Sequence, residues 1–163
     1  MQLTRNFNLS EFQSKDGSVM PNHVLHNVKL LAKNLQVLRD YLGKPIVINS
    51  AYRSEQHNKN VGGVYDSTHL IGIAVDITVK GVTSTELYNE ILKLINQGKI
   101  KQGGLGLYDS FVHYDIRGKA VRWNKQTIIT DIKTSLNKVG SKKKSALPSF
   151  VCPCCGTLFV KKS

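Results

Sequence analysis

The run Ser67-Thr68-His69-Leu70-Ile71-Gly72-Ile73-Ala74-Val75-Asp76 limits the fold more than any other stretch of the chain. It is apolar and strand-like, yet an imidazole stands near its start and a carboxylate ends it. A buried charge without a partner costs several kcal/mol or neutralises itself, so the fold must bring something to both. By the two-residue period of a strand, Ala74 and Asp76 share one face.

The surrounding pattern mixes helices with closely spaced strands. From Pro21 to Leu42, Val24, Val28, Leu31, Leu35, Leu38 and Leu42 recur at steps of four and three, which predicts an amphipathic helix ended by Gly43. Pro45 to Ser50 reads as a short buried strand, followed by a polar loop through Gly62-Gly63 to His69. Gly72 to Val79 is β-branched and suits a central strand. Thr83 and Glu86 have capping-box spacing and open a helix through Leu87, Ile91 and Leu94 to Gly98. Two more strands are expected near Gly104–Tyr108 and Phe111–Ile116, with a last helix or strand over Trp123–Leu136. The start of the chain reads as irregular. The class is α+β, a small antiparallel sheet with flanking helices.

A chain of 163 residues supports one domain and a short appendage. The expected division is a main domain over 1–136, a basic linker over 137–149 and a Cys-rich tail over 150–163. All three cysteines, Cys152, Cys154 and Cys155, lie in that tail, which excludes a disulfide framework for the main domain. Cys-Pro-Cys-Cys-Gly contains the C-P-x-C-G turn of a zinc knuckle. It offers too few thiolates to close a four-ligand site alone, so it reads as a metal site completed by another chain or residue, or as a thiol cluster. Contact with a partner or a second copy through this tail is one expectation, and a small apolar docking tail is another.

No apolar run approaches the ~18 residues of a membrane span, and the N-terminus lacks the apolar centre of a secretory signal. The expectation is a product made in the cytoplasm and acting at the cell wall if released. The net charge of +12 favours an anionic partner. A nucleic-acid binder has the weakest case, since neither interleaved aromatics nor a recognition helix accompanies the basic residues.

Among the five histidines, His23, His26 and His57 read as surface residues. His113 stands inside Phe111-Val112-His113-Tyr114-Asp115-Ile116-Arg117, within a strand. Zinc takes imidazole and carboxylate ligands at ~2.0–2.2 Å, and a catalytic site keeps three protein ligands. His69, Asp76 and His113 have the types for such a set; as composition alone, two satisfied core histidines explain them equally well.

The pattern S-x-H-x-x-G-x-A-x-D, followed by F-V-H-x-D-x-R, resembles the zinc D-alanyl-D-alanine carboxypeptidase family. That family includes murein endopeptidases and phage L-alanyl-D-glutamate endolysins, and its metal site is similar to that of the hedgehog domain. Ile48-Asn-Ser-Ala-Tyr-Arg-Ser54 and Asn58-x-x-Val-Gly-Gly63 extend the resemblance, which covers roughly residues 1–124. It implies that His69, Asp76 and His113 ligate zinc, that Arg53 is the cation near a substrate carboxylate or developing oxyanion, and that Ser67 contacts substrate. It also implies a peptidase acting on peptidoglycan stem peptides. Gly72 and Ala74 are expected to leave space beside the metal.

Relatives often carry an acid or histidine three residues before the last ligand, where this chain has Ser110. Asp115, on the same strand face as His113, is the first choice of general base; Asp109 is the second. A role for Asp115 as partner of Arg117 or orienter of a ligand stands beside it. The ligand types also admit manganese or cobalt. A non-catalytic, zinc-stabilised wall-binding or phage structural module is the alternative to the enzyme.

Overall fold

The computed structural model describes residues 1–127 and the backbone of 150–151 and 158–159. The chain divides into two units, Met1–Ile128 and Ile129–Ser163. In the first, the opening residues are ordered rather than irregular: β1 (Gln2–Thr4) and β2 (Phe7–Asn8) form a small antiparallel ladder, and a 3-10 turn follows at Leu9–Phe12. Phe7 and Phe12 are fully buried and meet edge to face, so apolar burial organises this segment.

Helix α1 (Asn22–Leu42) buries Val24, Val28, Leu31, Ala32, Leu35 and Leu38 along the expected stripe. It stops at Gly43, whose left-handed φ of 62° lets its N–H reach the Arg39 carbonyl. Helix α3 (Ser84–Asn96) starts at the capping box: Glu86 N–H donates to Thr83 Oγ1, and Thr83 N–H donates back to Glu86 Oε2. Its face of Leu87, Ile91, Leu94 and Ile95 is buried. Between them lies α2 (Glu55–Asn60), which the sequence reading took for loop. Its polar residues give no apolar stripe; the local signal is Ser54, whose hydroxyl accepts the His57 N–H.

Five strands make the main sheet: β3 (Ile46–Ser50), β4 (Ala74–Val79), β5 (Gly104–Leu107), β6 (Val112–Asp115) and β7 (Val121–Asn124). Their spatial order is β3-β4-β6-β5-β7. All neighbours are antiparallel except β5 and β7, so the sheet is mixed rather than antiparallel throughout. The class is α+β, and Trp123 belongs to a strand. Residues 128–136, the expected linker and the three cysteines lie outside the described residues. In the second unit, β8 (Phe150–Val151) pairs antiparallel with β9 (Leu158–Phe159).

Strand alternation sorts the sheet into two faces. Val75, Ile77, Leu105, Leu107, Val112 and Tyr114 join the core with the apolar faces of α1 and α3. Their neighbours, Asp76, Gly104, Gly106, His113 and Asp115, point to the other face. Register then aligns them. Ser50 pairs with Asp76, Asp76 with His113, His113 with Gly106, and Gly106 with Trp123, so one row crosses all five strands.

Candidate metal centre

His69 reaches that row from the loop before β4, which is tied down along its length. His69 N–H points at Ser67 Oγ, its carbonyl accepts from Arg53 N and Gly72 N, and Asn27 of α1 donates to the Ile71 carbonyl. Gly72 has φ +70°, and a Cβ there would fall 2.5 Å from Val24 Cγ1 and 2.9 Å from Val28 Cγ2. The expectation that Gly72 clears space for a metal is thus corrected: it permits a left-handed turn pressed against α1.

His69, Asp76 and His113 are all buried, and their donor atoms converge. His69 Nε2 lies 3.3 Å from His113 Nδ1 and 3.3 Å from Asp76 Oδ1, and His113 Nδ1 lies 2.9 Å from Asp76 Oδ1. Tetrahedral bonds of zinc length set ligand atoms about 3.3–3.4 Å apart, so the triangle fits such an ion. Each ring's other nitrogen has its own acceptor. His69 Nδ1 faces the Ala51 carbonyl at 2.6 Å, and His113 Nε2 faces Asp115 Oδ2 at 3.1 Å. Donating those outer protons leaves both inner nitrogens as lone pairs, the tautomers a metal requires.

Arg53 sits beside this triangle with its fork committed. Its Nη2 donates to Asp76 Oδ2 at 2.5 Å and its Nε to Ser50 Oγ at 2.8 Å. It lines the cleft with Nε and Nη2 engaged by Ser50 and Asp76. Burial pushes the Asp76 carboxyl upward, while hydrogen bonds from His113 and His69 outweigh it and hold it well below the usual carboxylate range. For His113 burial works downward, and the bonds to Asp115 and Asp76 win, raising its pKa.

The candidate bases are placed differently from expectation. Asp115 is fully buried behind His113 and outside the cleft lining. It accepts from Gly104 N at 2.8 Å and from Arg117 N, Nε and Nη2, besides facing His113. Every lone pair is engaged, and its pKa is held low by His113 and Arg117 against the upward push of burial. Its Oδ2 is turned to the outer nitrogen of His113 rather than to the cleft. Asp109 is exposed and binds Thr127 N and Oγ1 at 2.9 and 2.7 Å, also outside the cleft lining. Ser67, 9% exposed, serves its own turn through His69 N–H and does not line the cleft either. His23, His26 and His57 stand apart from the cluster.

The cleft over the triangle has a volume of about 580 Å³. Tyr108, Phe111 and Trp123 form an apolar wall: the first two rings stack at 4.3 Å, Trp123 donates its N–H to Tyr108 Oη, and the indole lies 5.0 Å from the His113 ring. Asp66, Arg117 and Lys125 supply its remaining charges. Apart from Phe111 and Arg117, which stand in the F-V-H-x-D-x-R motif, these residues are not expected at the site from the sequence. Their signal was Gly103-Gly104-Leu105-Gly106, where a Cβ at Gly103 or Gly104 would strike Asp115 and one at Gly106 would lie 2.2 Å from the Trp123 ring. Alternating glycine and leucine marks a strand with one face kept bare.

A sheet face carrying a buried His-Asp-His triangle under an open cleft defines a candidate three-ligand metal centre. The Peptidase M15 family model matches residues 2–115, and the chain belongs to that family, the zinc D-Ala-D-Ala carboxypeptidases. No curated protein matches the chain.

Proposed function

We propose that this protein is a zinc peptidase that hydrolyses peptide bonds involving D-amino acids in peptidoglycan stem peptides. The observation behind this reading is the buried triangle of donor atoms 2.9–3.3 Å apart, with the outer nitrogen of each histidine facing an oxygen acceptor and the three residues lining the cleft. His69, Asp76 and His113 would hold the ion, which supplies an acidified water and a polarised carbonyl. Arg53 donates Nη2 to Asp76 Oδ2 and lines the cleft, where its guanidinium would stabilise oxyanion charge as it develops. Asp66 is the carboxylate lining the cleft, apart from the ligand Asp76, among the described residues. As a cleft-lining carboxylate it would take a proton from the attacking water as oxygen bonds to the carbonyl carbon and would return it to the leaving amine as the C–N bond breaks. The charge of +12 suits an anionic wall polymer, and action at the wall after release is part of this reading.

The second reading is a zinc-stabilised wall-binding module without catalysis. It draws support from Ser110 at the position where several relatives hold an acid or a histidine, and from the engagement of both Asp109 and Asp115 in structural bonds. Release of new amino groups from purified peptidoglycan separates the two. Metal-loaded protein should release them, and chelated protein and His113→Ala should not. Stoichiometric zinc with no release from any wall type would establish the binding module instead.

A further inference from the structure

Three cations line the cleft, Arg53, Arg117 and Lys125, and they are not equivalent. Arg53 is held by Asp76 and Ser50, and Arg117 grips both oxygens of Asp115. Both guanidinium groups are parts of the sheet's own hydrogen-bonding scheme. Lys125 has no carboxylate partner among the described residues.

The backbone that carries Lys125 is nevertheless fixed. Lys125 N–H donates to the Leu107 carbonyl at 2.8 Å, Gln126 N–H donates to Asn124 Oδ1, and Thr127 binds the Asp109 carboxylate through N and Oγ1. These bonds explain what Asp109 does, and they hold an ammonium at the rim of the aromatic wall, two residues past Trp123. With the backbone already fixed, only the side chain of Lys125 has to be ordered on meeting an anion.

We propose that Lys125 is the specificity residue that receives a substrate carboxylate, placing the adjoining apolar groups against Tyr108, Phe111 and Trp123. This deepens the peptidase reading and rests on it: Lys125 is the residue that would select among stem peptides by a free carboxylate near the scissile bond. That carboxylate is either the chain terminus or an acidic side chain, and the chemistry at Lys125 is the same.

The test uses metal-loaded protein and three acetylated probes: a peptide ending in D-Ala-D-Ala as free acid, the same peptide as terminal amide, and an amide-terminated peptide with a D-glutamate side chain. Lys125→Met should raise KM for one carboxylate-bearing probe by about 5- to 10-fold and leave the plain amide unchanged. Lys125→Arg should restore most of it, with kcat nearly constant throughout. An effect on the free acid assigns the terminus; an effect on the D-glutamate peptide assigns the side chain. Equal KM values for wild type and Lys125→Met on all three overturn the proposal. If wild type cleaves none of them, the peptidase reading fails by itself, and calorimetric binding of the same probes still reads the contrast at Lys125.

Discussion

Asp115 Oδ2 lies 3.1 Å from His113 Nε2, and it holds the outer side of a ring whose inner nitrogen faces Asp76. The carboxylate is fully buried and is fixed in turn by Arg117 and Gly104. Asp115→Asn should therefore weaken metal binding by ~10–100-fold while the cleft keeps its shape. The chain's single tryptophan is Trp123, beside His113, so quenching of its fluorescence by cobalt or copper reads metal affinity directly. Unchanged affinity in Asp115→Asn would remove the positioning role.

Asp66 carries the opposite expectation. Its substitution by Asn should lower kcat by ~10²–10⁴-fold with metal affinity intact, as for loss of a general base. Asp109→Asn should leave kcat within a few-fold, since Asp109 binds Thr127 outside the cleft. Steady-state kinetics on wall peptides distinguish the two, and a fully active Asp66→Asn protein would leave proton transfer to the metal-bound water and solvent.

Metal uptake should strengthen as pH rises. In the metal-free protein His113 has a pKa above its ordinary 6.5, so its proton competes with the ion until the pH passes that raised value. Affinity measured by chelator competition should keep climbing as the pH rises past 6.5, the ordinary imidazole value, with net proton release on binding. A flat profile would contradict the raised value.

Acid stability follows from the carboxylates with the reverse sign. Asp76 and Asp115 have folded-state pKa values below their ordinary 3.8, so their contribution is present above about pH 4 and is lost as pH falls through the lowered values. Denaturant midpoints of metal-free protein should hold from pH 6 to pH 5 and fall steeply below pH 4. Asp115→Asn should flatten that fall.

The bare face of β5 is open to a steric test. Gly106→Ala puts a Cβ against the Trp123 indole and should cost about 1–3 kcal/mol by overpacking. Gly106→Ala combined with Trp123→Leu should recover part of the loss, measured by thermal unfolding. Gly72→Ala meets both a positive φ and α1, and nothing in one partner side chain relieves it.

Much of this protein could be read from local pattern. The four-and-three spacing of Val24 through Leu42, the Thr83–Glu86 box and the β-branched run before Asp76 each act within a few residues, so periodicity and capping chemistry predict them from the chain alone. His69, Asp76 and His113 were legible as candidates for the same reason, through residue type and spacing within motifs. α2 was not, because a six-residue polar helix buries too little to leave a stripe. Tertiary structure alone decided which charged groups remain available. The Asp115–Arg117 pair is local and was offered by the sequence, but the bonds of Asp115 to Gly104, of Asp109 to Thr127 and of Arg53 Nη2 to Asp76 join residues that sequence order does not set side by side. A carboxylate's chemistry depends on which donors surround it, and only the register of β4, β5, β6 and β7 chose those donors.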